Sequence, residues 1–233
     1  MKQLALDIGL ATGPTLANFI AGPNEAALKA LQLWLGGHCA TAPRSPVPTY
    51  LWGPPGCGKT HLLKAVREAL REQGASSQHA MGWMDASTLE PPEYHESWGL
   101  VLLDDVHLYT AAQQHTAFNW FVNAQTQQRG VLAAGEFQPS ALKLREDLRT
   151  RLGWGHVHAL QVLDEAARRG VLRQAADARG VFLSDEVMDF MLNRFSRDLG
   201  SLMELLDLLD GYALQSKRAI TIPLIKAMMD DTP

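Results

Sequence analysis

Cysteine is nearly missing from this chain: of 233 residues only Cys39 and Cys57 carry thiols. Two cysteines, one of them inside a glycine-rich loop, supply no disulfide framework, so a reducing cytoplasm is the expected setting. No apolar run reaches the roughly 20 residues of a membrane-spanning helix. The first residues lack the basic and apolar pattern of a secretory leader, so no membrane association is expected. Lysine and arginine form no block and the net charge is −4. That excludes an obvious electrostatic footprint for gripping nucleic acid directly. The eight histidines show no metal-ligand spacing with cysteine or acids, so no zinc site is expected. Internal repeats are absent as well. The 46% hydrophobic content fits a globular chain, long enough to bury a core in one or two domains.

What is present is one strong motif. Gly53-Pro54-Pro55-Gly56-Cys57-Gly58-Lys59-Thr60 fills every defined position of G-x-x-x-x-G-K-[ST]. Glycines let the backbone turn tightly enough to aim its N–H groups at phosphate oxygens. Lys59 adds a charge that can reach β- and γ-phosphates, and Thr60 offers a hydroxyl to Mg2+. Thr49-Tyr50-Leu51-Trp52 reads as a buried strand before the loop, and His61 onward opens a helix, predicted from Lys59 to about Gln73. That helix N-terminus adds partial positive charge where phosphates would lie. The same field, with Lys59, would favour a thiolate at Cys57, whereas bound phosphates would oppose it. A tolerated small residue is the plainer account of Cys57.

A second signal follows at a suitable distance. Trp98-Gly99-Leu100-Val101-Leu102-Leu103 is an apolar strand ending in Asp104-Asp105. Asp104 is placed to hold magnesium, directly or through water, and Asp105 to orient or polarise an attacking water. Gly130 to Gly135 is another strand, and Glu136 at its end is a polar candidate facing a γ-phosphate. Strands alternating with helices predict an α/β domain with a parallel sheet and its site at the strand C-termini. Arg145, Arg149 and Arg151 come well past the loop. Arginine can neutralise charge developing on a phosphoryl group, in cis or from a neighbouring subunit.

The rest organises around that domain. Residues 1–13 read as a tail, 14–162 as the α/β domain and 163–233 as a small all-α domain. In the tail, Gln3, Leu4, Leu6 and Ile8 suit an extended peptide that sets apolar side chains into a partner's pocket. Asn24 is a plausible N-cap for a helix carrying Leu28, Leu31 and Leu35. Residues 38–48 are rich in Pro, Ala and Ser and read as a surface loop. Thr110 to Gln128 reads as a helix in which Phe118 and Phe121 serve core and flank. Beyond residue 163 only helical patterns occur: Asp164 to Arg179, a helix capped near Ser184, and Leu199, Leu202, Leu206, Leu209 and Ala213 at 3-4-3-4 spacing.

Five stretches together resemble the AAA+ ATPases, and within them the central domain of the replication initiator DnaA. They are Asn18-Phe19-Ile20-Ala21-Gly22-Pro23, the glycine loop, Leu102-Leu103-Asp104-Asp105, Arg151-Leu152-Gly153-Trp154-Gly155 and Arg218-Ala219-Ile220-Thr221-Ile222. The resemblance implies that Ile20 and Ala21 help line an adenine site. It implies that the ligand is ADP or ATP with Mg2+, that the helical domain is a lid, and that Arg151 is an arginine finger. The chain carries a clamp-like peptide at its start and stops soon after the lid. That combination is similar to the DnaA regulatory inactivators, the Hda family. The resemblance then implies two partners, DnaA and the sliding clamp of DNA polymerase III (β subunit). DNA is met through the clamp, and a homo-oligomer is compatible. Such a protein stimulates hydrolysis of DnaA-bound ATP and so prevents re-initiation. One departure concerns a second sensor arginine: Gly200 and Ser201 stand at its place, with Arg197 one turn earlier. That implies slow or absent intrinsic turnover, whereas the intact Asp104-Asp105 pair implies the reverse. A self-hydrolysing ring ATPase and a helicase-loading adaptor are the alternative readings.

Overall fold

The computed structural model describes residues 13–36, 45–72, 80–195, 199–216 and 218–231. They fall into two compact units, Gly13–Val162 and the part of the chain from Leu163 onward. Among the described residues no helix is long and apolar enough to cross a membrane.

The first unit is built on five parallel strands: β1 (Thr49–Trp52), β2 (Ala80–Met84), β3 (Trp98–Leu103), β4 (Gly130–Gly135) and β5 (His156–Ala159). Their order in the sheet is β2-β3-β4-β1-β5. Because side chains alternate across a strand, neighbouring residues separate into two cores. Tyr50, Val101, Leu103, Val131 and Ala133 lie on one face with Trp120 and Phe121 of α3 (Ala111–Thr126) and Leu148 and Leu152 of α4 (Glu146–Leu152). Leu51, Leu100, Leu102, Leu132 and Ala134 lie on the other with Leu31 of α1 (Glu25–Gly36) and Leu62, Leu63 and Val66 of α2 (Lys59–Glu72). A sheet covered on both faces needs apolar residues at consecutive positions, which is why β3 and β4 read as unbroken runs.

Three local findings depart from the sequence reading. The strand β5 was not expected. His-Val-His-Ala has no apolar run, because as an edge strand it is largely exposed and takes its conformation from pairing with β1, Thr49 opposite His156 through Trp52 opposite Ala159. Asn24 does not act as a helix cap. It lies in a 3-10 turn over Gly22–Asn24, is buried, and uses its amide on the backbone of Gln161, donating to the carbonyl at 2.9 Å and accepting from the N–H at 2.8 Å. The helix expected from Thr110 starts one residue later, because Thr110 is its cap. Its hydroxyl accepts from the Gln113 N–H, and the Gln113 side chain accepts from the Thr110 N–H, a reciprocal capping box.

The second unit is all helical: α5 (Glu165–Ala178), α6 (Asp185–Arg194), α7 (Leu199–Ser216) and α8 (Ile222–Asp231). Asp164 and Ser184 cap α5 and α6 through side-chain oxygens that accept from Ala167 and Val187 N–H groups. Leu202, Leu206 and Leu209 form the buried stripe of α7, packed with Met188 and Met191 of α6 and Leu224 and Ile225 of α8.

Candidate functional site

Three of the expected segments leave neighbouring strands at their C-terminal ends. The loop Gly53 to Thr60 follows β1, Asp104-Asp105 follows β3, and Glu136 follows β4, which runs between the other two. The strand ends thus bring the phosphate-loop motif, the acidic pair and the third polar candidate to one rim of the sheet.

The loop is shaped by close approaches. A Cβ at Gly53 would run into the carbonyl oxygen of Leu160, so no larger residue fits there. Gly58 has φ +96°, and its Cβ would lie 2.6 Å from Cε2 of Phe19. Phe19 in turn stands with its ring centroid 5.5 Å from His61, and His61 Nε2 is 3.0 Å from the Thr15 carbonyl. Residues 15–21 therefore lie over the loop and the start of α2. Thr15 and Asn18 brace that segment by exchanging side-chain bonds to each other's N–H. Ile20 and Ala21 belong to it and are half-buried, and the Ala21 carbonyl accepts from the Asn24 N–H at 2.7 Å. Within the loop, the Cys57 N–H donates to the Pro54 carbonyl at 3.4 Å, and the exposed Pro55 stands between them. Gly56 has φ +79°.

Four polar or charged side chains are buried among the described residues, and two of them, Lys59 and Asp104, are in this site. The Lys59 ammonium donates to the carbonyls of Gly53 at 2.8 Å and Pro54 at 3.1 Å. Asp104 is tied by its N–H to the Met84 carbonyl at 2.8 Å. One of its carboxylate oxygens accepts from the Asp105 N–H at 3.0 Å. Burial pushes the Asp104 carboxyl above the usual carboxylate range; a hydrogen bond from the Thr60 hydroxyl opposes this and the neighbouring Asp105 charge reinforces it. Asp105 is held at φ 49°, a left-handed conformation that aspartate tolerates better than most residues. Cys57 is buried with its sulfur 3.8 Å from Lys59 Nζ. Burial raises its thiol despite the lysine, so the thiolate that the helix terminus would favour does not form readily here.

Glu136 meets a residue that the sequence did not single out. The Glu136 N–H donates to Nδ1 of His107 at 3.3 Å. With that nitrogen accepting, the ring proton of neutral His107 sits on Nε2, 3.4 Å from a Glu136 carboxylate oxygen. The only sequence signal for His107 is a titratable residue two places after an acidic pair, which is too common to single out. Tyr50 supports the same turn, its hydroxyl donating to the Phe137 carbonyl at 2.8 Å.

Arg151 is not gathered into this cluster. It projects from α4 onto the aromatic side chains of α3, its guanidinium carbon 5.2 Å from the ring centre of Phe118 and 5.9 Å from that of Phe121. Among the described residues no carboxylate pairs with it. Gly200 is exposed in the first turn of α7. Gln3, Leu4, Leu6, Ile8 and Arg197 lie outside the described residues.

A parallel sheet in this strand order, with a glycine loop after β1 and an acidic pair after β3, followed along the chain by a separate helical unit, defines a P-loop protein of the AAA+ class. Comparison with known proteins is more specific. Residues 10–159 match the family described as "Bacterial DnaA ATPAse domain", and residues 160–229 match "Hda, lid domain". The chain belongs to the Hda family of DnaA-related AAA+ proteins. An uncharacterized protein of Haemophilus influenzae is 33% identical over 241 residues, covering 98% of this chain and 99% of that one. Domain III of the Thermotoga maritima replication initiation protein DnaA superposes with a TM-score of 0.68 at 18% identity, covering 94% of this chain and 97% of that one. AMPPCP-bound DnaA from Aquifex aeolicus gives 0.64 at 23% identity, over 84% of this chain and 64% of that one. At those identities the likeness to solved structures is one of fold.

Proposed function

We propose that this protein restrains replication initiation by promoting hydrolysis of ATP held by DnaA. The observation that carries the reading is Arg151. It is half-buried, is matched by no carboxylate among the described residues, and has its guanidinium over the aromatic rings of Phe118 and Phe121. A cation so placed is available to a nucleotide bound by a partner, where an arginine supplied in trans accelerates phosphoryl transfer by about 10³–10⁵.

The chain's own loop is read as a resident nucleotide site, with ADP favoured by Gly200 at the second sensor position. Backbone N–H groups of Gly53 to Thr60 cradle the phosphates, Lys59 reaches the β- and γ-positions, and Ile20 and Ala21 border the adenine. The residues suit the ligand: the loop keeps glycine at Gly58, where φ is +96° and a Cβ would collide with the Phe19 ring, and the Thr60 hydroxyl already meets the buried Asp104 carboxylate. Those two residues would hold Mg2+, whose charge would offset that of the phosphates. Asp105 and Glu136 supply carboxylates at the γ-phosphate side. That a complete acidic set stands at the loop favours a second reading, a slow self-ATPase that assembles with copies of itself. Gln3, Leu4, Leu6 and Ile8 are assigned to the sliding clamp, which would bring the protein to DNA within the cytoplasm.

The test is hydrolysis of labelled ATP pre-bound to cognate DnaA, with clamp loaded on DNA. Stimulation by this protein, lost without clamp and lost in Arg151→Ala, is the expected result. Stimulation that survives Arg151→Ala, or none at all while clamp binding persists, refutes the reading. The second outcome points to a loading adaptor.

A further inference from the structure

We propose that Phe118 is the positioning residue for Arg151, holding the guanidinium without neutralising it. The proposal rests on the trans role given above to Arg151. An arginine that must act on a partner's phosphoryl group has two opposed needs. Its charge has to remain unmatched, yet its long side chain has to be restrained, since every free rotor lowers the fraction of encounters in a reactive geometry. A carboxylate partner restrains an arginine by cancelling its charge. The face of an aromatic ring attracts a cation through its quadrupole and leaves the charge intact.

The geometry around Phe118 separates these two ways of holding an arginine. Two guanidinium groups stand over this one half-buried ring, Arg145 at 4.9 Å and Arg151 at 5.2 Å from its centre. Arg145 is matched by Asp147 through two bonds of 2.7 Å, and it reaches His115 Nδ1 at 3.1 Å. Its backbone N–H is fixed by the Gln114 side chain at 3.0 Å. Arg151 has neither a carboxylate nor a side-chain hydrogen bond among the described residues; its guanidinium stands over the rings of Phe118 and Phe121. Arg145 is thus a fixed, charge-matched neighbour that limits where the second guanidinium can lie, and Arg151 is the group left free to act. Phe121 belongs to the buried core, which leaves Phe118 as the ring that can be altered without opening the interior.

The test compares Phe118→Leu and Phe118→Met, which keep apolar bulk but lose the ring face, with Phe118→Trp, which keeps it. The readout is the rate of DnaA-bound ATP hydrolysis at saturating protein with loaded clamp. Loss of the ring face should lower that plateau by about two- to five-fold, leave the concentration for half-stimulation and the protein's own ADP affinity unchanged, and be rescued by Trp. In an Arg151→Ala background, Phe118→Leu should have no further effect. A parental plateau in both Leu and Met variants, or an undiminished Phe118→Leu effect in the Arg151→Ala background, overturns the positioning role alone. If Arg151→Ala is itself as active as the parent, the trans reading falls and this role falls with it.

Discussion

Asp104→Asn should make the nucleotide-free protein more stable at neutral pH. The carboxylate is 2% exposed and burial raises its proton affinity above that of an ordinary aspartate, 3.8. The folded state therefore binds the proton more tightly than the unfolded chain between 3.8 and the raised folded value. More protons bound in the folded state means that stability falls as pH rises through that window, and the penalty is present in full above it. An asparagine carries no such penalty, while its carbonyl can still accept from the Asp105 N–H now made at 3.0 Å. Relieving a desolvated functional group of this kind is typically worth about 1 kcal/mol, or roughly 2–4 °C in melting temperature for a chain of this size. Melts at pH 7.5 and 3.0 provide the assay: the variant should exceed the parent at 7.5 and converge on it at 3.0, below the 3.8 of an ordinary aspartate, where the carboxyl is protonated in both states. With Mg2+ and ADP added, the order should reverse, because only the parent gains the metal-linked part of ligand stabilisation. A variant that melts at or below the parent at pH 7.5 without ligand would refute the account of Asp104 as a carboxylate held ionised at a cost to the fold.

Two further outcomes follow from the same site. Asn24→Ala should destabilise the first unit by about 1–3 kcal/mol, the usual loss when buried backbone partners are left unpaired, because Gln161 loses both of its bonds to the amide; an unchanged urea midpoint would contradict this. Burial holds the His61 imidazole below its usual 6.5, so the unfolded chain takes up the proton first and stability is lost as pH falls below 6.5 toward the folded value. His61→Gln should flatten the decline in melting temperature between pH 7.5 and 5.5. It should not abolish that decline, because burial also lowers His158; an unaltered slope would show that His61 is not coupled to folding.

The parts of this molecule that can be read from sequence are those where one residue type serves one local need. The glycine loop is legible because a tight, phosphate-facing backbone admits few alternatives. β3 is legible because a strand covered on both faces must be apolar throughout. Strand order is not written in any local pattern, and β5 depends on its neighbour. Asn24 is a reasonable cap by residue type, but its partner lies 137 residues away and only the folded chain brings the two together. Phe118 looks like packing because helical spacing tells which residues share a face, not which charged group a neighbouring helix will lay upon it. The role proposed for Arg151 comes from likeness to a family, not from any local pattern. Nothing local distinguishes it from Arg145 or Arg149 until Asp147 is seen to claim Arg145.

The bonds from Lys59 to the carbonyls of Gly53 and Pro54 give the loop a strut of its own. The ammonium props the glycine turn from inside, so the curvature that phosphates need exists before they arrive. An incoming anion consequently meets an exchange and not a bare charge: it has to draw the ammonium away from two amide oxygens that are already good acceptors. A singly charged ion that offers one contact gains little from that trade. A polyphosphate, which fills the surrounding N–H groups at the same time, completes it, and the strut becomes a filter for ligands with several negative oxygens.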